Sequence, residues 1–302
     1  MPRPRKPRSS SRREVHPTVA PYRQKERGER LQKVLADAGV AARRECERLV
    51  LEGAVTVNGR TIDTLPAWVD PEEDRIEVYG KPLRKAENHV YIMLFKPRGT
   101  VCTNSDPEGR TRAIDLVQHP SKPRLYCVGR LDLDASGLVL LTNDGEFANR
   151  LTHPRYGVAK GYDVTVDGKL DAAAIAAIER KLLPKSRAGS VAGKAASRPA
   201  AKVSRQVSRQ GSGQGSAQGP RDAAPRQSSL KLLSTEPTKS TLHLELCEHR
   251  NLQLRELMLA VGHPVKKLRR TSFGPIKLKG LAVGEWRELT GKEISALRKS
   301  AK

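Results

Sequence analysis

Residues 185–229 form a stretch that cannot contribute to a hydrophobic core, and this sets the strongest limit on how the chain can fold. The stretch is rich in Ser, Gly, Gln, Pro and Ala and contains no aromatic residue. Such a composition buries too little apolar surface to offset the entropy cost of ordering the chain. The folded part must therefore be built from sequence on both sides of an interruption, which the low cost of a long surface loop permits.

The same stretch is strongly basic, with nine Lys or Arg residues against one Asp, and residues 1–30 have ten against three Glu. These two segments hold fifteen of the 23 net positive charges of the 302-residue chain. We predict that residues 1–27 are a disordered basic tail and that about 184–235 are a disordered basic insertion. The remaining sequence is only moderately basic. The excess of Lys and Arg indicates a nucleic acid as the partner.

Several classes of protein are excluded by what the sequence lacks. No stretch approaches the roughly 20 consecutive apolar residues that a bilayer span needs, and the first 30 residues lack the apolar core of a signal peptide. There is no dinucleotide-type glycine motif, Walker loop or metal-ligand spacing, so we expect no cofactor and no metal. We expect a cytoplasmic monomer that does not contact membranes. Its four cysteines form neither a Cys-x-x-Cys pair nor a dense disulfide framework; they are Cys46, Cys102, Cys127 and Cys247.

Two helices and a hairpin are predicted between residues 30 and 62. The first helix is indicated by apolar residues at helical spacing up to Ala38, with Gly39 as its end. The second helix is expected from about Ala42 to Glu52. Asn58-Gly59 then joins two short strands in a type I′ turn. The residues predicted to face inward are Leu31, Val34, Leu35, Ala38, Cys46, Leu49 and Val50.

Basic residues lie opposite these apolar positions. On any single helix such charges are more often just a solvated face. Their number within about 30 residues, on a unit too small to hold an enzyme site, favours a phosphate-binding surface. The candidate RNA-binding residues of this unit are Arg30, Lys33, Arg43, Arg44, Arg48 and Arg60.

This unit resembles the S4-like RNA-binding domain over about residues 28–86. The resemblance rests on Glu-Arg-Leu-Gln-Lys-Val-Leu at 29–35, Ala-Gly-Val-Ala at 38–41, Arg-Arg at 43–44, Glu-Gly at 52–53 and Val-Asn-Gly at 57–59. It implies docking on structured RNA through backbone and shape contacts.

The densest signal begins after a predicted buried strand at residues 90–95. Residues 129–137 read as a glycine-flanked loop and 138–142 as a buried strand, followed by a helix that Asp144 caps and Pro154 ends. The loop holds Arg130, Asp132 and Asp134. An aspartate in a loop usually caps a turn or pairs with an arginine, and we assign Asp134 that ordinary role.

The loop and its flanks closely resemble the active-site signature of the bacterial ribosomal pseudouridine synthases of the RsuA and RluB type. Their segments read Gly-Arg-Leu-Asp at 129–132 and Ser-Gly-Leu-Val-Leu-Leu-Thr-Asn-Asp-Gly at 136–145. Other motifs of the family are matched by Phe-Lys-Pro-Arg-Gly at 95–99, Ser-Asp-Pro-Glu-Gly-Arg at 105–110, Lys-Gly-Tyr at 160–162, Arg-Asn at 250–251, Gln253 and Arg255, Ala-Val-Gly-His-Pro at 260–264 and Gly-Glu-Trp-Arg-Glu-Leu-Thr at 284–290. The resemblance covers nearly the whole chain outside the two basic segments.

This resemblance implies an α+β fold: the S4-like domain, then a catalytic domain at 87–302 built on a mixed, mainly antiparallel sheet with flanking helices. It also implies an isomerase that detaches uracil from its ribose, turns the ring and rejoins it through carbon five. The substrate expected is ribosomal RNA, and specifically large-subunit RNA because the chain as a whole looks more like the large-subunit members.

The resemblance also implies roles for individual residues. Asp132 is the expected catalytic carboxylate, which attacks or deprotonates the nucleotide, and Arg255 is expected to favour its charged form. Arg130 would position the loop or the flipped nucleotide, and Tyr162 would stack on the target base. A half-buried strand tyrosine is the alternative for Tyr162. The basic residues Lys96, Lys160 and Arg250 of the other motifs are expected to contact RNA.

Three positions depart from the family pattern. Ala135 stands where Thr or Ser is usual, and Leu252 and Glu256 replace arginines of the basic motif. These changes support an alternative hypothesis, a catalytically silent RNA-binding or ribosome-assembly factor that keeps the fold. A purely structural basic protein is a further alternative, and it predicts no pocket around Asp132.

Overall fold

Two groups of elements, on either side of residues 84–87, make up the chain in the computed structural model, which describes residues 20–83, 88–182, 228–247 and 254–302. The first group has one apolar core, and the second has two, one on each face of a large sheet. Within these ranges, no helix has the length and apolarity needed to cross a bilayer.

The first group contains two helices and six short strands. The strands form a four-stranded antiparallel sheet in the order β3-β2-β5-β6 and a separate antiparallel pair, β1 with β4. The elements are β1 Glu29–Arg30, α1 Leu31–Asp37, α2 Arg43–Leu51, β2 Val55–Val57, β3 Arg60–Ile62, β4 Trp68–Val69, β5 Ile76–Val78 and β6 Lys81–Pro82.

The two helices and the hairpin predicted for this region are confirmed. Six of the seven residues predicted to face inward are buried in a single core; Ala38, which follows the last residue of α1, is half-buried. Asn58 and Gly59 have φ angles of +52° and +74°, the left-handed pair that a type I′ turn requires. Gly39 follows α1 with φ +81°, as expected for a helix-ending glycine.

The prediction of a disordered tail up to residue 27 is wrong for residues 20–27. Short 3₁₀ helices span Ala20–Arg23 and Lys25–Arg27. Tyr22 is only 3% exposed, and its hydroxyl donates to the carbonyl of Val57 over 3.2 Å. Arg27 Nε donates to the Asp74 carboxylate over 3.2 Å. One aromatic ring and one ion pair anchor this end, and composition averaged over 27 residues hides both. Residues 1–19 lie outside the described residues.

The second group carries the large sheet. Its elements are β7 Tyr91–Lys96, β8 Tyr126–Cys127, β9 Ser136–Thr142, α3 Gly145–Thr152, β10 Ala159–Asp167, α4 Ala172–Leu182, β11 Ser229–Glu236, β12 Lys239–Cys247, α5 Leu254–Leu259, β13 Val265–Phe273, β14 Ile276–Lys277, β15 Trp286–Glu288 and α6 Gly291–Ser300. Shorter 3₁₀ helices lie at Ala113–Leu116 and Pro154–Tyr156.

The main path of the sheet runs β11-β12-β10-β13-β9-β7-β15, with β8 also paired to β9 and β14 to β13. Of the strand pairs described, only β9 with β13 is parallel. The predicted mixed, mainly antiparallel α+β fold is therefore confirmed. The parallel pair sets Gly137 opposite Arg270, which joins the end of the predicted loop to β13.

The predicted insertion is too long at its carboxyl end, because residues 229–235 belong to β11. Leu230 and Leu232 alternate along this strand, pair with Leu244 and Leu242 of β12, and pack against the core. This short apolar alternation follows directly on a long polar stretch, so composition alone does not reveal it. Residues 183–227 lie outside the described part of the chain.

Candidate active site

The loop of residues 128–135 lies between β8 and β9 and carries Arg130 and Asp132. Gly137, at the start of β9, has φ +122°. A Cβ atom there would lie 2.2 Å from the carbonyl oxygen of Arg270. Only glycine therefore allows β9 to approach β13 so closely. The strand pairing that fixes one end of the loop depends on this position.

The backbone of the loop is held at three points by groups from β13 and from the turn after β7. Each of these groups donates a hydrogen bond to a loop carbonyl. They are Arg270 Nη1 to Arg130 O at 3.3 Å, the Gly99 amide to Leu133 O at 2.8 Å and Arg98 Nε to Asp134 O at 2.9 Å. Rigid placement of the backbone keeps the side chains of the loop in a defined geometry.

Asp132 differs from its neighbours because its carboxylate is uncommitted. Its backbone carbonyl accepts from the Ala135 amide over 3.1 Å, which closes a turn. The side chain is exposed, and no residue in the described ranges forms a hydrogen bond or ion pair with its carboxylate. Ala135, the departure from the family pattern, is fully buried. The arrangement presents an unpaired carboxylate to solvent from a fixed loop.

Arg255 contacts this loop, although not at the predicted residue. Its Nη2 lies 2.7 Å from Oδ2 of Asp134, and the ion pair with Asp132 that the sequence suggested is not formed. The position follows from α5, which buries Leu254, Leu257 and Met258 and so fixes the side from which the guanidinium reaches. Asp134 has the ordinary role that we assigned to it, as the partner of an arginine.

Lys96 is not an RNA contact, and that prediction is wrong. The residue is fully buried, and its ammonium donates to the carbonyls of Thr100 and Pro97 at 2.7 and 2.9 Å. Burial lowers the pKa of Lys96, whereas Cys102, Asp132 and Asp134 act to raise it. Its charge therefore lies within electrostatic range of Asp132. One sequence signal was available, because Lys96 ends a strand whose preceding residues are all strongly apolar.

Lys160 is likewise only 4% exposed, and its Nζ lies 5.1 Å from the centre of the Phe273 ring. The burial of its side chain contradicts the prediction that Lys160 contacts RNA. Tyr162, two residues along β10, is 8% exposed and shares a core with Leu131 of the loop. Little of its ring is available to a base, so stacking remains a prediction.

Arg270 is a site residue that the sequence reasoning missed. It is 1% exposed and donates from Nε to Leu138 O over 2.6 Å, in addition to the bond with Arg130. It thus links both ends of the loop. The signal was its spacing from Leu268, since residues two apart in a strand face the same side. A run of four cations obscured this alternation by suggesting a solvated surface; the run is Lys266, Lys267, Arg269 and Arg270.

The six basic residues predicted on the first group of elements are at the surface. They differ in their partners: Lys33 contacts Glu29 and Asp37, and Arg48 contacts Glu45 and Glu52. Arg30 lies over the Trp68 ring. Among the described residues, no ion pair is formed by Arg43, Arg44 or Arg60. Arg250 lies outside the described residues.

Comparison with known proteins agrees with this geometry. Residues 90–260 match the family model for RNA pseudouridylate synthase, and residues 29–65 match that of the S4 domain. The ribosomal large subunit pseudouridine synthase B of Bacillus subtilis is 37% identical over 270 residues, covering 89% of this chain and 96% of that protein. A protein of Aquifex aeolicus described as an uncharacterized RNA pseudouridine synthase is 35% identical over 272 residues, covering 90% of this chain and 94% of that protein.

A crystal structure of a pseudouridylate synthase superimposes with a TM-score of 0.53 at 27% identity, covering 89% of this chain and all of that one. Sequence and fold thus agree over both groups of elements. The chain belongs to the RNA pseudouridylate synthase family and carries an S4 domain before its catalytic part.

Proposed function

We propose that this protein converts chosen uridines of large-subunit ribosomal RNA to pseudouridine, with Asp132 as the essential carboxylate. The names of the relatives from Bacillus subtilis and Haemophilus influenzae, both ribosomal large subunit pseudouridine synthase B, support the choice of subunit. The cysteine spacing supports a reducing compartment, and we assign the protein to the cytoplasm.

The observation that carries this proposal is the uncommitted carboxylate of Asp132 on a loop whose backbone is held at three points. In the reaction the bond between ribose C1′ and uracil N1 breaks, and a bond between C1′ and C5 forms. N1 gains a proton and C5 loses one, so the product is an isomer of the substrate. Asp132 either attacks the nucleotide or removes a proton from it, and both routes require the charged carboxylate.

The cations near the loop have different tasks in this proposal. Buried Lys96 places a positive charge within electrostatic range of Asp132. Arg255 is a positioning residue that holds the loop through Asp134. Arg130 is exposed, and its guanidinium is available to grip a phosphate of the extruded uridine, since the reacting atoms are inaccessible inside a helix. Tyr162 lies in the same core as Leu131 of the loop and is assigned the stacking contact with the target base.

Asp132→Asn tests the proposal directly. A strain that lacks this protein is complemented with the gene for the wild type or for the variant. Pseudouridine is then mapped across the small-subunit and the large-subunit ribosomal RNA. We expect the substitution to lower the rate of formation by about 10³-fold or more, as for other groups that carry the chemistry. RNA affinity should not fall, because the change only removes a negative charge.

Asp134→Asn is the matched control, being the same substitution in the same loop. Its ion pair with Arg255 is partly exposed. A pair of that kind is worth about 1 kcal/mol or less, so activity should fall by no more than about tenfold. Equal modification in wild type and Asp132→Asn would contradict the enzyme assignment and favour the silent RNA-binding factor. If the Asp132→Asn strain instead lacks a pseudouridine of the small-subunit RNA, that result would contradict the choice of the large subunit.

A further inference from the structure

We propose that Cys102 and Cys127 form a reversible oxidation site for hydroperoxides, located against the loop of Asp132. The four cysteines of the described chain carry no disulfide, and they differ in exposure. Cys46 and Cys247 are buried, whereas Cys102 and Cys127 are only half-buried. A small oxidant can therefore reach this pair more easily than the other two thiols.

The chain segments that carry the two thiols lie side by side. Cys102 follows the turn after β7 and Cys127 ends β8. Asn104 Nδ2 donates to the carbonyl of Leu125 over 2.7 Å, which joins the two segments two residues from each cysteine. Each thiol changes the pKa of the other, and the backbone amide of Leu131, the residue immediately before Asp132, lowers the pKa of Cys102. The pair is thus linked to the backbone that positions the catalytic carboxylate.

The surroundings favour a thiolate at Cys102. Lys96 and Arg270 are both buried, and their hydrogen bonds within the described chain go to backbone carbonyls rather than to a carboxylate. Nη2 of Arg270 is buried and has no hydrogen-bond partner among the described residues. Buried cations without a compensating anion are costly. A thiolate at Cys102 provides that negative charge.

The two thiols are also unequal in acidity, which divides their roles. The hydrogen bond from Cys127, together with the Leu131 amide and the two cations, lowers the pKa of Cys102 against the effect of burial. The hydrogen bond to Cys102 and burial raise the pKa of Cys127. For comparison, burial raises the pKa of Cys46. Because the thiolate is the nucleophile, Cys102 reacts first and Cys127 resolves the product.

The chemistry balances with hydrogen peroxide as the oxidant. The Cys102 thiolate attacks one peroxide oxygen, the O–O bond breaks, and a sulfenic acid forms while the released hydroxide takes a proton and becomes water. The Cys127 sulfur then attacks the Cys102 sulfur, the S–O bond breaks, and the oxygen leaves as a second water. Two thiols are oxidised by two electrons to one disulfide, and one peroxide is reduced. A dithiol reductant reverses the step.

Oxidation should inactivate the synthase, and this consequence alone rests on the proposed function. The disulfide removes the negative charge beside Lys96 and Arg270, and it draws Cys102 away from the Leu131 amide. Both changes act on the backbone next to Asp132. Displacement of a reacting group by about an ångström can cost about 100-fold in rate, so we expect a loss of about 10- to 100-fold.

The test uses the full-length protein with and without hydrogen peroxide. Trypsin places the two cysteines in separate peptides, residues 99–110 and 125–130. We expect mass spectrometry to find these two peptides joined after peroxide and separate after dithiothreitol. Titration of the denatured protein should find that two of the four thiols have been oxidised. The peptides of Cys46 and Cys247 in the same digest are the internal control.

Two variants identify the order of reaction. In Cys127→Ser the resolving thiol is absent, so dimedone should trap a sulfenic acid at Cys102. In Cys102→Ser no adduct should form at Cys127. If either variant fails to fold, the other variant and the peptide map of the wild type still test whether Cys102 and Cys127 form the oxidation site. Absence of the joined peptides, or equal oxidation of Cys46, would overturn the site.

Activity is measured by tritium release from ribosomal RNA that contains 5-tritiated uridine. We expect peroxide to slow release by the wild type and dithiothreitol to restore it, whereas Cys127→Ser in dithiothreitol should match the reduced wild type. A disulfide that leaves the rate unchanged would overturn the link to the loop. If the reduced protein forms no pseudouridine but the disulfide forms, the proposed function fails while the oxidation site stands.

Discussion

The surroundings of Lys96 in the fold determine which role this lysine can have at the site. By sequence it is a lysine of a family motif, and phosphate binding is the simplest interpretation. By position it is a buried cation whose three donors are directed at Pro97, Thr100 and the carbonyl of Leu133, 3.5 Å away. A phosphate cannot reach it. Its effect on RNA chemistry must therefore be exerted through the loop of Asp132.

Lys96→Met separates these two interpretations. Because the substitution leaves buried carbonyls without a donor, it should destabilise the protein by about 1–3 kcal/mol. The rate of pseudouridine formation at saturating RNA should fall, since the loop loses both an anchor and the nearby positive charge. RNA affinity and its salt dependence should stay as in the wild type. Affinity is measured by filter binding, and folding is checked by thermal unfolding.

Arg44→Met serves as the control for Lys96→Met, since it removes one charge from an exposed position of the S4 domain. Here affinity should fall while the rate at saturating RNA is retained. Reduced affinity in Lys96→Met with an unchanged rate would show that the lysine contacts RNA after all.

At the scale of elements, the two helices of the S4 domain carry cations of two kinds. Lys33 and Arg48 each contact two carboxylates of their own helix region, whereas Arg43 and Arg44 form no ion pair among the described residues. Contact with a carboxylate weakens the attraction of a cation for phosphate. The pattern of partners therefore predicts an order of importance that the sequence alone does not give.

Two double variants of equal charge test this order. Arg43→Gln/Arg44→Gln should weaken RNA binding more than Lys33→Gln/Arg48→Gln. Removal of each phosphate contact should also reduce the slope of log affinity against log salt by about 0.7 to 0.9. Titration at several salt concentrations measures both quantities. Equal effects of the two variants would contradict the prediction. They would mean that RNA affinity depends on the total surface charge and not on which cations lack a carboxylate partner.

The last helix, α6, predicts a specific dependence of stability on acid. Thr290 and Glu293 form a reciprocal cap, and Arg287 Nη2 lies 2.7 Å from the Glu293 carboxylate. The hydrogen bond from Arg287 is the main cause that lowers the pKa of Glu293 to about 2. Because this folded-state pKa lies below the ordinary value of 4.5, the contribution is complete above about pH 4.5. It is lost as the pH falls towards about 2.

Glu293→Gln should therefore lower the free energy of unfolding at neutral pH by about 1 kcal/mol or less, because Gln can keep the cap but cannot form the ion pair with Arg287. The difference from wild type should shrink as the pH is lowered from about 4.5 towards 2. Urea unfolding at a series of pH values measures this difference. A difference that stays constant with pH would mean that the ion pair is not formed in solution.

At the scale of the whole molecule, the catalytic sheet is continuous across the polar interruption. Strand β10 precedes the interruption and β12 follows it, yet they pair along nine residues. The insertion lies between α4 and β11, so the strands that flank it in sequence, β10 on one side and β11 and β12 on the other, are already joined by the sheet itself. Its nine basic residues add charge to the protein without belonging to the described fold.

We expect these charges to raise the affinity for RNA without changing the chemistry. Replacing the nine basic residues of 185–226 by Gln should flatten the salt dependence of binding, by up to about 0.7 to 0.9 for each phosphate that the segment no longer neutralises. The rate at saturating RNA should be unchanged. A variant with the same residues in scrambled order is the control and should retain the wild-type slope. An unchanged slope in the neutral variant would identify the segment as an inert spacer.

The sequence by itself determined the two units of the chain, the S4 helices and hairpin, the loop before β9 and the family. These follow from local signals, such as the positive φ of Asn58-Gly59 and the cap at Asp144, which accepts from the Phe147 amide over 2.9 Å. Periodicity and turn chemistry depend on residues close in sequence, so they can be read directly.

Only the tertiary structure decided which charged groups meet. It buried Lys96 and Lys160, paired Arg255 with Asp134, brought Cys102 to Cys127 and directed Arg270 to both ends of the loop. The physical reason is that these contacts depend on the register of distant strands. The parallel pairing of β9 with β13 joins segments more than 130 residues apart, and no local pattern specifies it.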